Sequence, residues 1–245
     1  QLTRSLQRLQ LERIDCYLLH NPEYYLRWAA HKLLDQAAAK NEFLRRIRLA
    51  FAYLESEVRA GRIGCYGISS NTFNKEETDY DHTSLAAIWQ IACEISSQHH
   101  FQVIEMPMNL LEPEALTRIN QPGEKSVLSL AAEKRLGVLI NRPLNAIVND
   151  RLVRLAENVY KKSAAQEATA FGARVSQIDL DWQVSSLSRL ALRALRSTVG
   201  ISSVLVGMRQ INYVDEVLSE LALPCEKKSR LESWQRIAGA WEAGR

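Results

Sequence analysis

Apolar positions along the chain follow two rhythms in alternation. Short continuous apolar runs bounded by turn residues occur at 14–19, 63–68, 102–106, 137–140 and 203–206 and predict strands. Between them the apolar residues recur every three or four positions. In 41–60, Phe43, Ile47, Phe51, Leu54 and Val58 share one helix face, and Gly61 is placed to close that helix in a left-handed conformation. Residues 85–95 and 127–135 behave alike, the second running into Leu136-Gly137 before the next apolar run. The stretch 150–196 keeps a helical pattern with a break near Gly172, and Asn212 is an N-cap for a helix through Leu221. Residues 226–242 predict a last helix with Leu231, Trp234, Ile237 and Trp241 on one stripe, and 2–9 reads as the middle or end of an amphipathic helix.

Strand and helix in alternation imply parallel strands joined by crossovers, because parallel neighbours cannot be linked by a tight turn. Strand starts at 14, 63, 102, 137 and 203 lie farther apart than the ~30 residues a βαβ unit needs. Some units therefore carry insertions, and 76–82 is polar enough for a surface loop. No interdomain linker or repeat is evident, so residues 1–245 are expected to form a single domain. About five such units suit either an open doubly wound sheet or part of a (β/α)8 barrel, and periodicity does not choose between them.

Composition narrows the class rather than the fold. With 47% hydrophobic and 24% charged residues the chain has an ordinary globular balance, and its formal charge of +3 gives no footing for nucleic-acid binding. Cys16, Cys65, Cys93 and Cys225 form no C-x-x-C pair, which points to a reducing compartment. No apolar run approaches the ~18 residues of a membrane span, and no secretory leader pattern is present. A cytoplasmic protein without a membrane segment is the expectation. Gln1 is not an initiator methionine, so the chain is expected to begin inside a domain. His82, His99 and His100 lack partners at metal-ligand spacing, and no metal is assigned.

Five ordered segments carry a family resemblance. Residues 5–20, ending Ile14-Asp15-Cys16-Tyr17-Leu18-Leu19-His20, resemble the approach to and the whole of the fourth strand of aldo/keto reductases. Residues 60–71, with Gly67-Ile68-Ser69-Ser70-Asn71, resemble the fifth strand. Glu105-Met106-Pro107-Met108-Asn109 resembles the sixth, 136–144 the seventh, and Ser203-Val204-Leu205-Val206-Gly207-Met208-Arg209 the eighth. The resemblance implies an α/β fold of (β/α)8 barrel type with the first three strands absent. It also implies an NADP(H) cofactor and a small-molecule carbonyl substrate. The tyrosine that donates a proton in this family, and the lysine and aspartate that tune it, belong to the absent portion. None of Tyr17, Tyr24, Tyr25 or Tyr66 is spaced to replace that set.

His20 ends a strand before Asn21-Pro22, at the end of a barrel strand where active sites lie. The resemblance makes it the residue that orients the substrate carbonyl; the plainer alternative is a strand-end histidine bonded to backbone. Ser69, Ser70 and Asn71 are implied contacts of the nicotinamide carboxamide, against an ordinary Ser/Asn turn. The extra serine leaves open whether Ser70 or Asn71 is the second contact. Glu105 stands where the family commonly has glutamine, and Asn141 where an aromatic often stacks on the nicotinamide. Arg142 is assigned to cover the cofactor, with a structural salt bridge as its alternative. Gly207 and Arg209, before a helix start, suit the cofactor's adenosine phosphate because free N–H groups and a guanidinium converge on an anion. Residues 21–41, with Tyr24, Tyr25 and Trp28, form either a wall of the substrate pocket or a packed helical cover.

The expected function is the C-terminal, cofactor-binding portion of an NADP(H)-dependent aldo/keto reductase, inactive by itself. The alternative is a degenerate, non-catalytic binding or regulatory module, for which the departures at Glu105 and Asn141 speak.

Overall fold

The structure, a computed structural model, describes residues 1–148, 151–155, 162–184, 186–208 and 211–242. The elements begin with α1 (Leu2–Leu9), β1 (Ile14–His20), α2 (Tyr24–His31), α3 (Gln36–Arg59), β2 (Ile63–Ser69), α4 (Leu85–Ile95), β3 (Phe101–Pro107), α5 (Glu114–Thr117) and α6 (Val127–Glu133). They continue with β4 (Gly137–Asn141), β5 (Asn145–Val148), β6 (Arg151–Arg154), α7 (Lys162–Val175), α8 (Leu187–Arg196), β7 (Ser203–Val204), α9 (Ile211–Leu221) and α10 (Leu231–Glu242). Two compact units result, one of Gln1–Met106 with Ile119–Val138, the other of Pro107–Arg118 with Leu139–Arg245.

In the first unit β1, β2 and β3 run parallel, as the alternation of strands and helices required. The long helix α3 starts earlier than its apolar stripe, at Gln36, because the Asp35 carboxylate caps the Ala38 amide at 2.8 Å. Gly61 follows it with φ +74°, in the left-handed region that ends helices. Phe43, Ile47, Phe51 and Leu54 are buried along one face. The Phe51 ring lies 4.8 Å from Tyr66 on β2 and 5.1 Å from Phe101 on β3. Each such ring contributes roughly 1.5–3 kcal/mol by leaving water. These contacts fix which face of the sheet the helices cover. Tyr66 and Ile68 point toward them, so Cys65, Gly67 and Ser69, one residue out of step, point to the opposite face.

Other details of this unit differ from the sequence expectations. Helix α6 stops at Glu133, and it is Arg135, with φ +54°, rather than the later glycine that turns the chain. The polar loop 76–82 is only partly a surface feature. Its end is buried at Asp81 and His82, where the Asp81 carboxylate accepts from Arg27 at 3.0 Å and from Lys75 at 2.7 Å. Residues 21–41 form α2 and the first turn of α3; Leu26 and Ala29 are buried, while Tyr24 and Trp28 stay half-exposed.

In the second unit Leu139 and Ile140 of β4 pair in parallel with Ser203 and Val204. Strand β7 is shorter than its apolar run, although the Leu205 amide still donates to Ile140 at 2.8 Å. The helical pattern expected over 150–196 holds for α7 and for α8, which ends at Arg196, but fails at its start and at the position of its break; residues 150, 156–161 and 185 lie outside the described residues. Residues 151–154 pair with 145–148 as an antiparallel hairpin, in keeping with the β-branched Ile147, Val148 and Val153. Gly172 sits inside α7 rather than breaking it. A Cβ there would stand 3.3 Å from the Leu187 Cδ1, so the glycine serves close approach of α8. The break falls after Val175, at a single 3₁₀ turn over Leu180–Trp182.

Asn212 is the second residue of α9 rather than its cap, since the helix already includes Ile211. The last helix begins at Leu231, not at 226, because Lys228 is used as extended backbone: its amide donates to Ser197 and its carbonyl accepts from Val199, both at 2.9 Å. Trp182 and Trp234 are wholly buried, stack edge to face at 5.9 Å, and donate their indole N–H groups to Ser197 and Thr198. Both are core residues whose polar ends are satisfied.

Candidate active site

Backbone pairing aligns three of the expected residues. His20 is the Cα partner of Ser69 and Ser69 of Glu105, so the three form one row across adjacent strand ends. Neighbours in such a row share a face, and the Ser69 face is the one opposite α3. The ladder continues one residue beyond the row. The Asn21 amide donates to Ser69 at 2.8 Å, and the Ser70 amide to Glu105 at 3.0 Å. His20 is exposed, Glu105 half-buried and Ser69 buried. An imidazole, a hydroxyl and a carboxylate are therefore neighbours at adjacent strand ends.

Ser70 and Asn71, left as alternatives by sequence, separate here. The Ser70 hydroxyl is wholly buried and bonded to Thr72 and Thr83 at 3.2 and 3.1 Å, and those two threonines bond each other at 2.7 Å. It is committed to closing the loop. Asn71 is half-buried, and its amide nitrogen donates to Asn21 at 3.0 Å and to Glu23 at 3.4 Å. Glu23, which sequence reasoning passed over, is wholly buried just after the His20 strand end. Its Oε1 also accepts the Asn71 backbone amide at 3.1 Å. The only local signal for it was an acid directly after Asn21-Pro22, which a helix N-terminus explains equally well. Asn21 itself takes φ +50°, a left-handed turn that asparagine tolerates better than most residues.

Within the second unit Asn141 ends β4, and Arg142 follows with φ +52°. The Arg142 guanidinium donates to Glu112 at 3.1 Å, which is the salt bridge that sequence reasoning held open. Glu112 is a local hub: its other oxygen accepts from Asn109 at 2.7 Å and from the Ile147 amide at 3.2 Å. Glu112 thus ties both Arg142 and the β5–β6 hairpin to the turn after β3. Gly207 is exposed beyond β7, with nothing within 4 Å of where a Cβ would stand. Arg209 lies outside the described residues.

Tyr66, on β2, is unsuited to acid catalysis. Burial, and then the Glu55 carboxylate beside it, push the Tyr66 hydroxyl far above its usual range. Among the described residues no group of three His, Cys, Asp or Glu side chains converges as a metal site, and no helix is long and apolar enough to cross a membrane.

A model of the aldo/keto reductase family matches residues 1–238. The chain belongs to the aldo/keto reductase family. Among solved structures, this aldo/keto reductase chain is similar to the thermostable aldo-keto reductase Tm1743 in complex with the inhibitor epalrestat, with TM-score 0.56 and 13% identity; the match covers 98% of this chain and 64% of that one. It is also similar to aldo-keto reductase AKR11C1 from Bacillus halodurans in its holo form, with TM-score 0.55 and 20% identity, covering 98% of this chain and 63% of that one. At these identities the likeness is one of fold. The chain thus spans a little under two thirds of the length of the solved relatives. No curated protein matches it.

Proposed function

We propose that this chain is the carbonyl-orienting and nicotinamide-holding part of an NADP(H)-dependent aldo/keto reductase, built on a (β/α)8 barrel. The observation that carries this is the row His20–Ser69–Glu105 at the ends of three adjacent parallel strands. Barrel enzymes place their chemistry at such strand ends, and the family match runs continuously through residues 1–238, which supports one domain over residues 1–245.

The residues at this edge have the right donor set for a nicotinamide carboxamide, which offers one C=O and one NH2. Ser69 can donate to the C=O, while the Asn71 oxygen and the Glu105 carboxylate can only accept and so suit the NH2. When bound, the reduced nicotinamide supplies the hydride. His20 donates to the substrate's carbonyl oxygen, holding it and stabilising the charge that grows there. Within the second unit, the family resemblance assigns Gly207 and Arg209 to the adenosine phosphate, and Arg142, which donates to Glu112 at 3.1 Å, to the flank of the cofactor with Asn141. The substrate class is a small aldehyde or ketone.

Proton donation is the one role for which these residues supply no candidate. Among the described residues no tyrosine hydroxyl is paired with a lysine, and Tyr66 is buried on the helix side with its acidity suppressed. The chain alone should therefore reduce carbonyls poorly, since a positioned acid contributes about 10²- to 10⁴-fold. NADPH oxidation with 4-nitrobenzaldehyde, followed at 245 residues and in a longer form carrying a tyrosine donor, tests this. Turnover by the shorter chain equal to that of the longer form rules the division of labour out. The non-catalytic alternative draws on one specific observation, the commitment of Arg142 to Glu112; it predicts dinucleotide binding without turnover in either form.

A further inference from the structure

Glu23 combines three properties that a helix-starting acid does not need. It is wholly buried, its Oε2 is buried with no hydrogen-bond partner, and every donor to its carboxylate among the described residues comes from Asn71. Leaving one carboxylate oxygen unsatisfied costs stability, so starting a helix does not by itself account for an acid at this position.

The difference between the two is directional. A carboxylate only accepts, whereas a side-chain amide can turn either its oxygen or its nitrogen to a partner. Facing the Glu23 carboxylate, Asn71 must present its NH2, and that NH2 is shared with the Asn21 oxygen at 3.0 Å. Its oxygen is then left pointing away from both, with no protein donor among the described residues. Asn71 sits two residues past Ser69, on the strand end that carries the proposed cofactor contacts.

We propose that Glu23 is a positioning residue: it fixes the Asn71 amide with the oxygen outward, so that this position accepts from the NH2 of the nicotinamide carboxamide and discriminates for cofactors that have one. This rests on the cofactor assignment above and adds to it the element that sets the direction of that hydrogen bond. Glu23 does not touch the cofactor; Asn71 does.

The test is equilibrium binding to the 245-residue chain of NADP+ and of its 3-acetylpyridine analogue, in which a methyl group replaces the carboxamide NH2. Wild type should prefer NADP+ by about tenfold, the value of one hydrogen bond left unmade. Glu23→Gln lets the Asn71 amide turn over, its NH2 then facing the ligand and able to donate to the analogue's acetyl oxygen, and the preference should fall to within about threefold. The exchange Glu23→Gln with Asn71→Asp restores an acceptor facing outward at unchanged net charge, and should restore the preference. A helix-capping role would lower stability in Glu23→Gln and leave the ratio alone. An unchanged ratio in Glu23→Gln, or a double variant that binds both ligands equally, overturns the proposal while leaving the cofactor assignment standing. A wild-type chain that binds neither dinucleotide overturns both.

Discussion

Replacing Tyr66 by Phe removes one oxygen from the core of the first unit and nothing else. The ring is wholly buried against Phe51 and Phe101, and the substitution leaves those packing contacts in place. What is lost is the hydroxyl's 2.9 Å hydrogen bond to the Glu55 carboxylate, itself 3% exposed. Hydrogen bonds to charged groups contribute about 1.5–3 kcal/mol. Glu55 keeps two donors, the His100 amide at 2.7 Å and the His100 ring at 3.0 Å, so the loss belongs near the lower end, about 2 kcal/mol. The pH dependence has a definite sign. Burial alone would raise the Glu55 pKa, but the hydrogen bonds from His100 and Tyr66 outweigh it and leave the pKa below its ordinary 4.5. A depressed folded pKa means the carboxylate's stabilisation is present above the unfolded value and is lost as pH falls through the folded one. The gap between wild type and Tyr66→Phe should therefore be full at pH 7 and shrink as pH falls from the ordinary 4.5 through the lowered folded pKa, since a neutral carboxyl makes only an ordinary hydrogen bond. Urea unfolding at pH 7 and pH 3.5 with matched m-values measures both. A gap under about 0.5 kcal/mol, or one that does not narrow with acid, refutes the account of this buried network.

Three further substitutions and labelling tests follow from the geometry. A Cβ on Gly67 would meet the Val103 carbonyl oxygen at 2.0 Å and Leu18 at 2.7 Å, so Gly67→Ala should cost about 3 kcal/mol or more by forcing β2 from β3; unchanged urea stability would count against the strand packing described. Glu220 is wholly buried and accepts from Arg193 at 3.0 Å and Arg196 at 2.9 Å. Glu220→Ala, which strands those guanidinium groups, should cost about 3–5 kcal/mol, against under about 1 kcal/mol for exposed Glu226→Ala, as read by urea titration. Cys16 faces Cys65 across the β1–β2 ladder, and burial first, then that neighbouring thiol, push its pKa up to about 12. At pH 8 only about one Cys16 in ten thousand is thiolate, so iodoacetamide should label exposed Cys93 and spare Cys16. Equal rates by peptide mass spectrometry would contradict the placement.

How far the chain could be read from its letters depended on the range of the interaction. The ends of β1 and β2 were legible because strand termini and the turn residues after them are local signals, and His20 and Ser69 do close those strands. That these two and Glu105 share a row was not legible, since it needs the register of three strands. Glu23 was missed because its significance lies in Asn71, 48 residues away. Arg142 stayed ambiguous until Glu112, 30 residues earlier, was seen beneath it. The error over 150–196 was of another kind. Gly172 looked like a helix breaker because glycine costs about 1 kcal/mol in a helix, yet its missing side chain is what lets Leu187 approach. Asn212 and the start of the last helix missed by a few residues, because caps and extended bridges such as Lys228 with Thr198 are set by neighbours rather than by the apolar stripe.

In the proposed function the strand-end row holds a nicotinamide cofactor and orients a carbonyl, with the two tasks on different residues. The most direct measurement is titration of the 245-residue chain with NADPH, followed by energy transfer from tryptophan to the reduced nicotinamide. Saturable one-to-one binding is expected, weakened about tenfold in Ser69→Ala by loss of one hydrogen bond. It should be changed less than about twofold in His20→Ala, whose partner is the substrate. Absence of saturable binding, or equal loss in both variants, would contradict it.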